Sequence, residues 1–400
     1  MRVLLVSNLY PPYWIGGYEQ IAGWVSHGLR EHGHEVEVLT GRGQAFATEP
    51  WIRPGLDLDQ AAVREMHVAG GISFPDGFVE GVKRHVFSRH NFDACRAAIA
   101  SFRPDLVSFW NPSFVTFSPL LAARLSGVPA VVHLSDVAAN PFRNPRPPAF
   151  PAAFRSAARW GVDRIVGLAR PARFVVPSRF LRDRLVEAEG LPAGRVHVLH
   201  WPVEPSISRS APEAARAAAA RRFLFVGSLV PEKGPQVLLA AFREAVREKP
   251  ELSLSFAGEG PRAYVAELRA SAAGLPVRFL GRLERAAVTE AYRGHDALVL
   301  PSIWDEPFAV VPLEAMALGL PVIATAAGGT SEAVLDGRTG VLVPPRDPVA
   351  LRDAILRLAA DGRFTASLAR SGQAWARGNL AFPLFMDRLE RLYQGAAQPA

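Results

Sequence analysis

The 400-residue chain is 49% apolar and 21% charged, long enough for two domains that each bury a core. Its single cysteine, Cys95, excludes an intrachain disulfide framework, no apolar run reaches the ~18 residues that span a bilayer, and MRVLLVSNLYPPYW lacks a secretory leader's pattern, so a cytoplasmic protein is expected. The net charge of +7 is unevenly spread, because residues 141–200 hold eleven arginines against four acids, an excess as large as that of the whole chain.

Short apolar runs alternate with helical stretches, which argues for parallel α/β sheets. A first series of strands is predicted at Arg2–Ser7, Glu35–Thr40, Leu106–Trp110, Ala130–His133, Phe174–Pro177 and Val196–His200. A polar, alanine-rich interval at Glu204–Arg222 breaks the pattern. It resumes at Phe223–Val226, Leu252–Ala257, Val277–Leu280, Ala297–Leu300, Val322–Ala324 and Val341–Val343. The two series open alike, since RVLLVSNLYP from Arg2 and RFLFVGSLVP from Arg222 agree at five of ten places. Two Rossmann-like domains are therefore expected, 1–203 and 204–381, dividing near Pro202–Pro205.

Both opening strands run into loops that suit phosphate or sugar chemistry. Gly16-Gly17 follows Pro11-Pro12, where glycine lets the backbone approach a ligand or form an anion-binding nest, although a plain turn explains a lone pair equally well. Glu232-Lys233-Gly234 opens the helix after Phe223–Val226, and Lys233 is one of three lysines beside forty-two arginines. Where arginine is the habitual cation, a retained lysine suggests that a compact charge is wanted. In the arginine-rich region, Phe154–Arg170 sets Phe154, Ala158, Ile165 and Leu168 on one helical face and Arg155, Arg159 and Arg170 among the polar positions. Peripheral contact with an anionic membrane and an ordinary sheet-covering helix both fit that segment. The ten histidines form no recognisable metal set, and zinc spacing, aromatic stacking motifs and Lys/Arg runs of five are missing. Neither a metal nor a nucleic-acid partner is expected.

The most informative stretch is Ser302–Val334, SIWDEPFAVVPLEAMALGLPVIATAAGGTSEAV. Pro312 followed by LEAMALG reads as a helix start closed by Gly319, which puts Glu306 on the preceding loop and Glu314 in the first helical turn. In open α/β sheets ligands bind beyond the carboxyl ends of strands, so both carboxylates and the amides of Phe308, Ala309 and Val310 would face one crevice. Carboxylates accept from sugar or ribose hydroxyls, and amides at a helix start favour phosphate. An isolated pair of this spacing would be better explained by a solvated loop glutamate and a glutamate favoured by the helix dipole.

The surrounding letters decide against that explanation. Glu306, Glu314, Ala315, Met316, Ala317, Gly319, Pro321, Val322, Ala324, Gly328, Gly329 and Glu332 resemble, in order, the E-x7-E element and the EAMA-x-G-x-PV-x-A-x-x-x-GG-x-x-E pattern of the retaining GT-B glycosyltransferases of family 4. The resemblance implies two Rossmann-like domains with parallel sheets facing a central cleft, and a C-terminal helix, 382–395, that packs back on the first domain. It implies that Glu306 contacts the transferred sugar, that Glu314 binds the ribose, and that the amides of Phe308, Ala309 and Val310 meet sugar and diphosphate. Lys233 would hold the diphosphate, Gly16 and Gly17 would lie near the donor phosphates and acceptor, and Gly258, in FAGEGP, near the nucleotide. His133 matches a histidine placed beside the anomeric centre, and Asp136 would orient it or bind the acceptor. The co-substrate would be a nucleoside diphosphate sugar, with UDP- and GDP-sugars the leading candidates, the acceptor a sugar, a lipid-linked sugar or a small molecule, and no divalent metal would be needed.

One departure stands out. The family's G-R-x-x-x-x-KG pattern appears here as Gly227-Ser228, without the arginine that joins the lysine in neutralising the leaving diphosphate. Ser228 with another cation, such as Arg282, would have to suffice. A sugar-nucleotide-binding subunit without turnover, and a nucleotide-sugar epimerase on the same fold, therefore stand beside the transferase. A pyridoxal-dependent phosphorylase would need a Schiff-base lysine, and none of Lys83, Lys233 and Lys249 sits in such a motif.

Overall fold

The computed structural model describes residues 1–11, 17–42, 49–58, 88–110, 112, 115, 118–136, 173–210 and 219–398. They fall into two compact units, one comprising the described residues up to Leu199 together with those from Met386 onward, the other His200–Phe385.

The first unit holds seven strands: β1 (Arg2–Ser7), β2 (Glu35–Gly41), β3 (Ile52–Leu56), β4 (Leu106–Trp110), β5 (Ala130–His133), β6 (Arg173–Val176) and β7 (Val196–Val198). They are parallel and ordered β3-β2-β1-β4-β5-β6-β7. The strand order reverses between β1 and β4, which is where a doubly wound sheet opens a crevice. Helices such as Arg89–Phe102 and Arg179–Glu189 cover one face over Leu4, Val6, Val107, Phe109 and Val132. Strands buried on both sides read as unbroken apolar runs, which is why β1, β4 and β5 were readable. β3 was not anticipated. Its sequence, IRPGL, carries Pro54 and Gly55, residues that a sheet tolerates at an edge, and β3 is the edge strand.

The second unit holds β8 (Arg222–Val226), β9 (Ser253–Ala257), β10 (Val277–Gly281), β11 (Ala297–Leu300), β12 (Val322–Thr325) and β13 (Val341–Val343). They are parallel and ordered β10-β9-β8-β11-β12-β13. The period of two along β8 divides two cores. Phe223 and Phe225 pack with helices Pro235–Glu248 and Pro348–Ala360 on one face, while Leu224 packs with Leu313 and Met316 of helix Val310–Ala317 on the other. β1 and β8, the two matching openings, each stand at the switch point of their own sheet.

The divide between units lies four residues before the expected 203/204. Leu199 still donates to Val176 O of β6 at 2.9 Å, whereas Val203 already donates to Leu380 O at 2.8 Å within the second unit. The interval from Glu204 contains a short helix, Pro205–Ser210. The last helix, Phe382–Ala397, belongs to the first unit from Met386 onward. Met386, Leu389, Tyr393 and Ala396 are buried at helical spacing. Arg173 donates to the carbonyls of Leu392 and Gly395, near the negative end of that helix, and Glu390 meets His32 Nδ1 at 2.6 Å.

Candidate active site

Three loops of the second unit converge at the carboxyl ends of β8, β11 and β12. After β8 the chain makes a single 3-10 turn, Pro231–Lys233, and Gly234 at φ +69° then starts helix Pro235–Glu248. A Cβ on Gly234 would stand 2.0 Å from Pro301 O, so only glycine lets this turn lie against the end of β11. Ile303 N donates to Glu232 O at 2.9 Å and fixes the two loops to each other.

That contact brings Lys233 and Glu306, 73 positions apart, to 2.6 Å between Nζ and Oε1. Glu306 is only 5% exposed, and the same oxygen accepts from Ser302 Oγ. Its backbone is held as well, because Gly329 N donates to Glu306 O at 2.7 Å and Gly328, at φ +60°, would place a Cβ 2.3 Å from that carbonyl. The carboxylate is thus rigid while the lysine is partly open to solvent. Beside the pair a cavity of about 480 Å3 opens among Glu232, Ile303, Trp304, Asp305, Ala327 and Arg346. Neither Lys233 nor Glu306 lines it.

Helix Val310–Ala317 begins two residues earlier than its proline suggested, with Ala309 at the N-cap and no side chain capping the first amides. Pro312 is therefore the third helical residue, and Glu314 lies in the second turn rather than the first. Phe308 and Ala309 are buried, and Phe308 stacks at 5.1 Å on the ring of His200, whose Nε2 lies 3.2 Å from Glu332 Oε2. The uncapped amides leave a positive helix end facing the loop.

Glu314 is 4% exposed and doubly held: Arg285 Nη2 donates to Oε1 at 2.6 Å and Tyr292 Oη to Oε2 at 3.0 Å. Arg285 also pairs with Glu204. Burial raises the Glu314 pKa, and Arg285 opposes that rise. Burial likewise works against the Arg285 charge, yet Glu314 and Glu204 together hold its pKa above the ordinary value. One cation thus serves two carboxylates at this corner. Arg282, the expected substitute cation, is exposed just past β10; the arginine brought to a motif glutamate is Arg285. Arg285, Glu204, Tyr292 and His200 carried no signal in the sequence, since each meets its partner across 22 to 132 positions.

Ser228 is exposed, and Gly227 and Gly258 have φ of +150° and +149°. A Cβ on Gly258 would lie 1.9 Å from Gly227 O, so the β8 and β9 loops approach backbone to backbone. In the first unit Gly17 is the first residue of helix Gly17–Glu31, while Gly16 and the basic segment 154–170 lie outside the described residues. Asp136 is half-buried after β5.

His133 ends β5 opposite Trp110 of β4 and stacks on its indole at 3.9 Å with 9° between the planes. It is 7% exposed, and its Nε2 lies 2.9 Å from Tyr393 Oη of the last helix. Burial pushes its pKa down to about 3, so the imidazole is neutral at physiological pH. Among the described residues, no group of three or more His, Cys, Asp or Glu is placed to hold a metal ion, and no helix is long and apolar enough to cross a membrane.

A crevice at the switch point of a parallel sheet, with a lysine, a rigid carboxylate and uncapped helix amides around it, on a chain of two Rossmann-like units, defines a GT-B glycosyltransferase. Two family models match in succession, "Glycosyltransferase Family 4" over residues 15–207 and "Glycosyl transferases group 1" over 210–375, and the chain belongs to this family of hexosyltransferases. It is 28% identical to the glycogen synthase of Mycobacterium tuberculosis over 89% of this chain and 85% of that one. It is 32% identical to the GDP-mannose-dependent alpha-(1-6)-phosphatidylinositol monomannoside mannosyltransferase of Mycolicibacterium smegmatis, over 60% and 65% of the two chains. Among solved structures it matches Anabaena HepE in complex with UDP at a TM-score of 0.68 and 20% identity, over 99% and 100% of the two chains.

Proposed function

We propose that this enzyme moves a hexosyl group from a UDP- or GDP-sugar to an acceptor hydroxyl with retention at the anomeric carbon. The observation that carries the reading is the Lys233–Glu306 pair at 2.6 Å. An incoming diphosphate competes with Glu306 for the ammonium, and the freed carboxylate, rigid at 5% exposure, then accepts from the sugar's hydroxyls. Lys233 and the amides of Phe308, Ala309 and Val310 stabilise the charge that grows on the leaving diphosphate, which leaves no step that requires a divalent cation. Glu314, oriented by Arg285 and Tyr292, accepts from the ribose. His133 meets the primary-hydroxyl side of the sugar, and Asp136 serves the acceptor side. With no protein nucleophile assigned, departure and attack occur on the same face, and the leaving phosphate takes the acceptor's proton. Relatives named for glycogen, a phosphatidylinositol mannoside and inositol phosphate support polysaccharide, glycolipid or glycoconjugate synthesis as the setting, with the arginine-rich stretch 141–200 meeting an anionic membrane.

The test is thermal stabilisation by a panel of UDP-, GDP-, ADP- and TDP-sugars, since a ligand that binds the native state raises its apparent stability. A selective shift that Lys233→Ala and Glu306→Ala both abolish is expected, followed by transfer that survives chelator and yields a product with the donor's anomeric configuration by NMR. An inverted product or strict metal dependence would overturn the mechanism. Binding without transfer to any acceptor would favour a subunit that has lost turnover with the missing arginine at Ser228, and interconversion of donor alone would favour an epimerase. Co-sedimentation with liposomes that ignores anionic lipid content would remove the membrane contact.

A further inference from the structure

The last helix does more at His133 than cover it. Trp110 Nε1, which can only donate, lies 3.0 Å from Ser108 Oγ; Ser108 Oγ lies 2.5 Å from Tyr393 Oη; and Tyr393 Oη lies 2.9 Å from His133 Nε2. Ser108 and Tyr393 are buried, at 0% and 1% exposure. If the Ser108 proton points to Tyr393 and the Tyr393 proton to His133, every hydrogen in the row has an acceptor. The opposite direction, with a proton on His133 Nε2, sends the Tyr393 proton to Ser108 and strands the Ser108 proton in the core, which buried polar groups avoid. Stacking on Trp110 fixes the plane of the ring but not which edge faces which way, and the bond from Tyr393 makes that choice.

We infer that Tyr393, carried by the C-terminal helix Phe382–Ala397, is a positioning residue that fixes His133 as the Nδ1–H tautomer, so that the ring presents a hydrogen-bond donor to a sugar hydroxyl and is not a base. The inference rests on the reading of His133 as a sugar contact. The lone pair on Nε2 is occupied by the tyrosine hydroxyl, and the proton on Nδ1 is the one group of the ring left to meet substrate. The sugar oxygen at that point must therefore accept. A donor sugar lacking this oxygen, a deoxy analogue, loses that bond.

Tyr393→Phe removes one hydroxyl and keeps the ring that fills the core. Nitrogen-15 NMR of the wild type should show His133 as the Nδ1–H form, and in Tyr393→Phe the Nε2–H form should appear. In the same variant kcat should fall by about tenfold while KM for the donor holds, because a wrongly protonated histidine binds the site but fails in the transition state. Ser108→Ala removes the other acceptor open to the Tyr393 proton and should leave His133 in the Nδ1–H form; the Nε2–H form in that variant would refute the inference, which keeps it open to test if Tyr393→Phe folds poorly. His133→Ala is the control. Should His133→Ala retain wild-type kcat, the sugar-contact reading falls and this inference with it. Should His133→Ala lose activity while Tyr393→Phe keeps both the wild-type tautomer and kcat, the positioning role alone is overturned.

Discussion

Replacing His133 by glutamine should flatten the protein's response to mild acid. In the unfolded chain His133 titrates near its ordinary 6.5, whereas burial against Trp110 pushes it to about 3 in the folded protein. At pH 7 both states are mostly unprotonated there, so the histidine's full contribution is present. As the pH falls from 6.5 towards 3, the unfolded chain takes up a proton that the folded one refuses, and stability drops with a limiting slope of about 1.4 kcal/mol per pH unit. Between pH 6 and pH 5 this one residue accounts for about 1 kcal/mol. Urea unfolding of the wild type and His133→Gln at pH 7, 6 and 5 reads the difference directly. His34 and His197, whose pKa values burial also lowers, are present in both proteins and cancel. The wild type should lose about 1 kcal/mol more than the variant between pH 6 and pH 5. Parallel losses would refute the reasoning, because they would mean that the folded His133 titrates as a solvated imidazole.

Further outcomes follow from the second unit. Lys233→Ala should lower kcat/KM by roughly 10²–10³-fold, the usual loss when a group facing developing charge is removed, and Lys233→Arg should not restore it, because a planar fork does not replace a compact ammonium 2.6 Å from Glu306; wild-type turnover in steady-state assays of either variant would contradict this. Arg285→Ala leaves Glu204 and Glu314 enclosed without their cation. With the arginine partly exposed, a loss of about 2 kcal/mol in chemical denaturation is expected, together with weaker nucleotide binding by calorimetry. Gly258→Ala should cost about 2–4 kcal/mol, since its Cβ would meet Gly227 O at 1.9 Å at a φ of +149°; an unchanged melting temperature would show that the β8 and β9 loops can part.

How far the sequence disclosed this architecture depended on range. β1, β4, β8 and β11 are legible because sheets covered on both faces need apolar runs, a local property of four to six residues. β3 was not, because an edge strand tolerates the proline and glycine that read as a turn. The helix carrying Glu314 starts two residues before the proline that signals it, because Val310 and Val311 are β-branched and give its first turn no helical mark in the sequence. Glu306 and Lys233 were found through motif spacing, but what joins them, Ser302, Ile303 and the glycine at 234, is visible only in three dimensions. Arg285 was hidden by composition, as one arginine among forty-two has nothing to mark it. Tyr393 was hidden by distance, 260 positions from the histidine it holds.

That distance has a consequence for synthesis. On the ribosome the first unit's strands emerge early, whereas Met386, Leu389 and Tyr393, which are buried in the same unit, follow only after the second unit has been made. At about 5–20 residues per second, the roughly 200 residues after Leu199 take some 10–40 s to appear. Throughout that interval the first unit lacks the Tyr393 hydroxyl that Ser108 and His133 meet, while the second unit, continuous in sequence, is able to fold first. The first unit is therefore complete only once helix Phe382–Ala397 has been made and has docked.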